Sequence, residues 1–130
     1  MKILVIDDDL ATTDLLKLIL QSTTTSIITA NSALEGIELV KKKKPDIILL
    51  DLMMVDMDGW ETCKVIREFS STPIMILSAL DTPGMVARAL DAGADDYMVK
   101  PVNTTILIAR INKALRRNYI TLGLAPVYLV

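Results

Sequence analysis

The chain has 130 residues, a net charge of −2, and 52% hydrophobic and 23% charged side chains, the profile of one globular domain able to bury a core without disulfides or a structural metal. Its near-neutral charge gives no electrostatic basis for direct binding of nucleic acid or an anionic membrane. The lone Cys63 forbids an internal disulfide and suits a reducing compartment, and the absence of histidine excludes histidine acid–base chemistry, histidine metal ligation and a phosphohistidine donor within the chain.

Short apolar runs alternate with longer helical patterns. The first run, Ile3-Leu4-Val5-Ile6, follows Met1-Lys2 with no signal-peptide pattern between them. Asp9 then precedes a helix whose apolar stripe is read as Leu15, Leu16, Leu18 and Ile19. Ser26 to Ala30 reads as the second strand, and Ser32-Ala33-Leu34-Glu35 has the pattern of a capping box. Lys41 to Lys44 is read as the solvated, dipole-matched end of that second helix. Ile47 to Leu50 forms the third strand, and Asp58 caps a helix carrying Val65, Ile66 and Phe69. Ile74 to Leu77 is the fourth strand. Thr82-Pro83 starts a helix with proline in its first turn, and Gly93 stops it. Tyr97 to Val99 is the fifth strand. Asn103 caps a last helix, expected to run to about Arg117 with Leu107, Ile108 and Ile111 on its apolar face.

Several of these strands are apolar at every position, which marks parallel strands covered on both faces. Five βα units with right-handed crossovers give an α/β fold: a doubly wound, five-stranded parallel sheet of flavodoxin-like (βα)5 type, expected in the order 2-1-3-4-5. Residues 1–117 form this domain. Residues 118–130 carry no charged side chain and are rich in Leu, Ile, Val and Tyr, so they read as an apolar tail that docks on this domain or on a partner. No apolar run reaches the roughly 20 residues of a membrane span, and a cytoplasmic location is expected.

Ligands of open α/β sheets sit beyond the carboxyl ends of the strands. Asp7, Asp8 and Asp9 follow the first strand, Asp51 the third, Ser78 the fourth, and Lys100-Pro101 the fifth. The second ends in Ala30-Asn31 with nothing ionisable. In the expected strand order the first and third strands are neighbours, so their carboxylates converge. Crowded carboxylates repel, and a hard cation such as Mg²⁺, which prefers oxygen ligands and shares sites with phosphate, relieves that repulsion. An aspartate beside such an ion is a plausible phosphoryl acceptor, with Lys100 offsetting charge and Ser78 bonding a phosphoryl oxygen.

With these motifs in place, the chain resembles the CheY-like receiver family of response regulators over roughly residues 2–117. The resemblance rests on the stretches Ile3 to Asp9, Asp46 to Met54, Met57-Asp58-Gly59, Leu77-Ser78-Ala79, Gly93 to Tyr97, and Lys100-Pro101. It implies a signalling domain rather than an enzyme, with self-catalysed phosphoryl transfer only. Asp51 is then the phosphoacceptor. Asp8, Asp51 and the Met53 carbonyl ligate Mg²⁺, and Asp7 acts largely through water. Lys100 contacts the phosphoryl group, the Lys100-Pro101 bond is cis, and Ser78 and Tyr97 form the switch, with Tyr97 expected to turn inward into the space that Ser78 vacates. The phosphodonor is a sensor histidine kinase acting in trans.

Gly93 to Tyr97, Ala109-Arg110-Ile111 and Arg116-Arg117 are most similar to receivers of the OmpR/PhoB type, coupled to winged-helix DNA-binding domains. These imply a homodimer through the fourth helix, fifth strand and fifth helix. Two of its cross-dimer ion pairs are available, Asp96 with Arg110 and Asp95 with Arg117. The third is replaced by apolar Val86 and Ile106. Met53 and Leu80 flank the phosphoryl position without being able to orient water, which implies slow self-dephosphorylation. Two other readings stand beside this one. Asp7 to Ala11 partly matches the DxDx[TV] motif of haloacid-dehalogenase-like phosphatases, with Asp7 as nucleophile and Asp9 as acid. A non-phosphorylated interaction module of the same fold is the other.

Overall fold

In the computed structural model, which describes residues 1–122 and the side chains of residues 1–120, five strands alternate with five helices. The strands are β1 (Lys2–Ile6), β2 (Ser26–Ala30), β3 (Ile47–Leu50), β4 (Ile74–Ser78) and β5 (Asp96–Val99). The helices are α1 (Leu10–Leu20), α2 (Ala33–Lys43), α3 (Gly59–Arg67), α4 (Pro83–Asp91) and α5 (Thr104–Leu122). All strand pairs are parallel and the order is β2-β1-β3-β4-β5. No helix among the described residues is long and apolar enough to cross a membrane.

The pleat divides the apolar runs between two cores. Leu4, Ile6, Ile48, Leu50, Ile74 and Ile76 join Ile37, Val40, Trp60, Cys63, Ile66 and Ala89 from α2, α3 and α4. Ile3, Val5, Ile47, Leu49, Met75 and Leu77 point the other way, onto Leu16 and Leu20 of α1 and Leu107, Ile111 and Leu115 of α5. Alternate side chains of a strand face opposite sides, so a strand covered on both faces must be apolar throughout.

Asp9 caps α1 through Ala11 N–H and the Thr12 hydroxyl, Ser32 caps α2 at Glu35 N–H, Asp58 caps α3 at Glu61 N–H, and Asn103 caps α5 at Ile106 N–H. Thr82 makes no side-chain cap bond; Pro83 supplies the helical start instead. Gly93 has φ of 114°, a region closed to most other residues.

Three expectations need correction. Helix α3 ends at Arg67, so Phe69 lies beyond it and is exposed rather than on its apolar face. The buried face of α1 is Thr13, Leu16 and Leu20, while Leu15 and Leu18 are exposed. The helix is turned so that its polar Thr13 reaches the Asn31 side chain, and the leucine-rich stripe faces outward. Helix α5 does not end at Arg117 but continues to Leu122, and the Tyr119 hydroxyl donates to Asp46 at the base of the sheet. The first residues of the expected tail are therefore helical. Residues 123–130 lie outside the described residues.

Candidate functional site

The carboxyl rim of the sheet is held in register by the ladder itself. Asp7 N–H donates to Ala30 O at 3.0 Å, Asp51 N–H to Ile6 O at 3.0 Å, and Lys100 N–H to Ser78 O at 2.8 Å. Each candidate side chain thus leaves a fixed point at a strand end. The Lys100-Pro101 peptide is cis.

Asp7, Asp8 and Asp51 meet, offering carboxylate oxygens all within 4.8 Å of one another. Asp7 and Asp51 are buried. Lys100 Nζ lies 2.7 Å from Asp7 Oδ2 and 3.9 Å from Asp51 Oδ1. Asp51 Oδ1 accepts Leu52 N–H at 2.9 Å, Asp7 Oδ1 accepts Asp9 N–H at 2.9 Å, and Asp8 Oδ2 accepts Val55 N–H at 3.1 Å. Burial, reinforced by the Asp7 charge, pushes the Asp51 carboxyl up to about 6, with Lys100 and the Leu52 and Met53 amides pulling the other way. Lys100 therefore offsets the burial of Asp51 and the Asp7 charge only in part. Three clustered carboxylates supply the oxygen donors that a hard divalent cation such as Mg²⁺ prefers, and such an ion would relieve their mutual repulsion.

Ser78 is fully buried, and its Oγ accepts Leu80 N–H at 3.2 Å. The Tyr97 ring packs in the core, and its hydroxyl donates to Leu80 O at 2.6 Å. Leu80 thus joins the two residues through its backbone. Met53 is exposed beside Asp51, and Leu80 packs partly against the core.

The charges expected at a dimer surface are engaged within the chain. Asp95 Oδ2 bonds Arg67 at 2.9 Å and Ile74 N–H at 2.8 Å, so this carboxylate holds α3, β4 and β5 together. Asp96 stands 3.4 Å from Arg110 of its own chain. Val86 is half-buried and Ile106 exposed.

Three contributors are invisible in a list of strand-end charges. Asn31, at the strand read as silent, donates through Nδ2 to Asp7 O at 2.9 Å and to Thr13 Oγ1 at 3.1 Å, fixing the acidic turn. Arg67 is the second. Asp56 is the third: its carboxylate accepts the amides of Ala33 and Leu34 at the start of α2. An asparagine directly after a strand was the one available signal. Nothing in the sequence pairs Asp56 with residue 33.

The response regulator receiver domain family matches residues 3–112. The chain is 42% identical over 118 residues to the transcriptional regulatory protein YvrH of Bacillus subtilis (strain 168), covering 90% of this chain and 50% of that protein. It is 41% identical over 115 residues to the transcriptional regulatory protein AfsQ1 of Streptomyces coelicolor, covering 88% and 51%. The chain thus spans about half the length of the curated relatives it matches. A solved two-component response regulator from Clostridium difficile superposes with a TM-score of 0.87 at 36% identity, over 91% of this chain and 98% of that one. A match over residues 3–112, a sheet in the order β2-β1-β3-β4-β5 and a carboxylate cluster at its rim agree: the chain belongs to the response regulator receiver domain family.

Proposed function

We propose that this receiver accepts a phosphoryl group on Asp51 in a Mg²⁺-dependent reaction, from a sensor histidine kinase. The observation that carries the reading is the buried Asp51 carboxylate, within 4.8 Å of the Asp7 and Asp8 oxygens and 3.9 Å from Lys100. Asp8, Asp51 and the Met53 carbonyl would hold the cation directly, and Asp7 largely through water. When bound, the cation neutralises the carboxylate cluster and the oxygens of an incoming phosphoryl group.

The chain's own residues do the rest. A carboxylate oxygen of Asp51 attacks phosphorus, and the donor's P–N bond breaks with its electron pair returning to the imidazole. Lys100 pivots from Asp7 toward the new phosphoryl oxygens. Ser78 turns its hydroxyl to the phosphoryl group and gives up the Leu80 amide. Tyr97 already lies inward here, so phosphorylation holds the ring in place rather than drawing it in. The released Leu80 backbone, with Tyr97 held inward, is then read at the surface of α4, β5 and α5 as a population shift.

A homodimer through that surface belongs to the same proposal. Forming the Asp96–Arg110 pair across two chains exchanges one surface ion pair for another at little cost. Asp95 is bound more firmly, because leaving Arg67 also uncovers the Ile74 amide.

The phosphatase reading is less well supported. It needs Asp9 as a proton donor, yet the Thr12 hydroxyl above all holds that carboxyl below its ordinary range, and Asp9 serves as the α1 cap. Intact-mass spectrometry after incubation with acetyl phosphate tests the proposal. One phosphoryl group per chain is expected with Mg²⁺, and none with a chelator or in Asp51→Asn. Uptake independent of Mg²⁺ or of Asp51 would overturn it.

A further inference from the structure

The loop between β3 and α3 is closed tightly beneath the phosphoacceptor. Gly59 N–H donates to Leu52 O at 2.8 Å, and a Cβ on Gly59 would lie 2.4 Å from Asp51 O. Between these ends, residues 53–57 project from the sheet, and two carboxylates hold the projection. Asp8 Oδ2 accepts Val55 N–H at 3.1 Å. Asp56 reaches the other way, its Oδ1 accepting Ala33 N–H and its Oδ2 accepting Leu34 N–H, both at 3.1 Å.

The start of α2 explains why Asp56 lodges there. Ser32 Oγ accepts Glu35 N–H, and Ser32 O accepts Gly36 N–H. That leaves the amides of Ala33 and Leu34 for an acceptor from elsewhere. A bidentate carboxylate suits both these donors and the positive end of the helix. The loop bearing Met53 is consequently strung between the acidic turn after β1 and the first turn of α2. It is three residues from the Met53 carbonyl to the Asp56 anchor, and one from the Val55 amide on Asp8 to the same anchor.

We propose that Asp56 is a positioning residue for the divalent-cation site, acting through the loop it ties to α2 rather than by touching the ion. This rests on the cation-dependent reading of the Asp7, Asp8 and Asp51 cluster. With Asp56 anchored, the Met53 carbonyl and the Val55 amide are presented at fixed points beside Asp8 and Asp51. Without it, the loop loses its tie to α2 while keeping its closure at Gly59, the Asp8 bond and the packing of Met54 and Met57 on the core, and cation binding must restore the part of its order that Asp56 supplied. Groups one step removed from a metal shift its affinity through such ordering.

The test is a Mg²⁺ titration of the whole chain followed by amide NMR, in wild type, Asp56→Ala, Asp56→Asn and Ser32→Ala. Asp56→Ala should weaken Mg²⁺ binding about tenfold, and Asp56→Asn, which keeps one acceptor oxygen, by less. Ser32→Ala removes a cap bond from the same helix without touching the loop, and should bind Mg²⁺ as wild type does. Equal affinity in Asp56→Ala and wild type would overturn the inference. So would a Ser32→Ala loss as large as that of Asp56→Ala, which would assign the effect to helix stability. Should Asp56→Ala lose its dispersed spectrum, Asp56→Asn against Ser32→Ala decides by the same comparison. If wild type binds Mg²⁺ and Asp8→Asn does not, the cluster reading stands whatever Asp56 does. If wild type fails to bind, the cluster and the role of Asp56 fall together.

Discussion

The ammonium of Lys100 lies 2.7 Å from Asp7 and 3.9 Å from Asp51, so one cation serves two carboxylates and is bonded to the one that is not the proposed acceptor. Asp7 is almost fully enclosed, and losing Lys100 would leave its charge without a cationic partner, with only the Asp9 amide bonded to it among the described residues. Lys100→Ala should destabilise the metal-free protein by about 2–4 kcal/mol. It should also tighten Mg²⁺ binding, because a competing positive charge is gone, while slowing phosphorylation by acetyl phosphate. Urea unfolding, Mg²⁺ titration and phosphorylation rate together check this. Slower phosphorylation with weaker Mg²⁺ binding would show that Lys100 organises the carboxylates rather than serving the phosphoryl group.

Asp51 sets a pH dependence whose sign is fixed by its raised value. Its carboxyl titrates near 6 in the folded chain against an ordinary 3.8. Folding therefore favours the protonated form. The contribution is fully present below about pH 4 and is lost as pH rises through about 6. At neutral pH the metal-free protein should carry a penalty on the order of 2–3 kcal/mol from this group. Asp51→Asn should remove most of it, so the variant unfolds at higher urea than wild type at pH 7, with the gap closing near about pH 4. Saturating Mg²⁺ should narrow the same gap in wild type. A gap unchanged across that range would contradict the burial and repulsion assigned to Asp51.

Leu80 holds both Ser78 and Tyr97, the proposed switch residues, by its backbone, accepting from Tyr97 and donating to Ser78. Tyr97→Phe should cost about 1 kcal/mol of stability and leave phosphorylation intact. In wild type, phosphorylation should shift the Leu80 amide resonance strongly, because its Ser78 acceptor leaves, and the Tyr97 ring only slightly. A large ring shift with an unmoved Leu80 amide would reverse the assignment.

In the proposed reading, the apolar side chains of Met53 and Leu80 flank the phosphoryl group on Asp51, and neither can orient an attacking water. The acyl phosphate should persist for minutes to hours with Mg²⁺ present. Met53→Asn, which supplies a hydrogen-bonding group, should shorten its lifetime. A wild-type lifetime of seconds would show that these side chains do not govern water access.

The fold was legible because its strands are buried on both faces and so are apolar at every position from Ile3 to Ile6, Ile47 to Leu50 and Ile74 to Leu77. The carboxylate cluster was legible because a parallel sheet gathers strand-end residues at one rim, which brings Asp7, Asp8, Asp51 and Lys100 together from across the chain. What escaped depends on contacts that leave no periodic trace. Asp56 reaches backbone amides of α2, which any residue but proline at 33 and 34 would provide. Arg67 satisfies the carbonyls of Gly93, Ser70 and Thr72 as well as the Asp95 carboxylate, so its role is set by chain path and not by sequence pattern. In α1 the leucines outnumber the buried positions, so the count of apolar residues misplaced the inner face. In α5 the absence of charge after Arg117 read as a boundary, although Tyr119 continues the helix and anchors it to Asp46.

The central claim is that Asp51 receives the phosphoryl group at a rim shared with Asp7 and Asp8. Peptide mapping of the protein after reaction with acetyl phosphate and Mg²⁺, with borohydride reduction to mark the acyl phosphate, addresses it most directly. The account predicts the reduced residue at position 51 alone. Modification at Asp7 instead, or none at either aspartate, would contradict it.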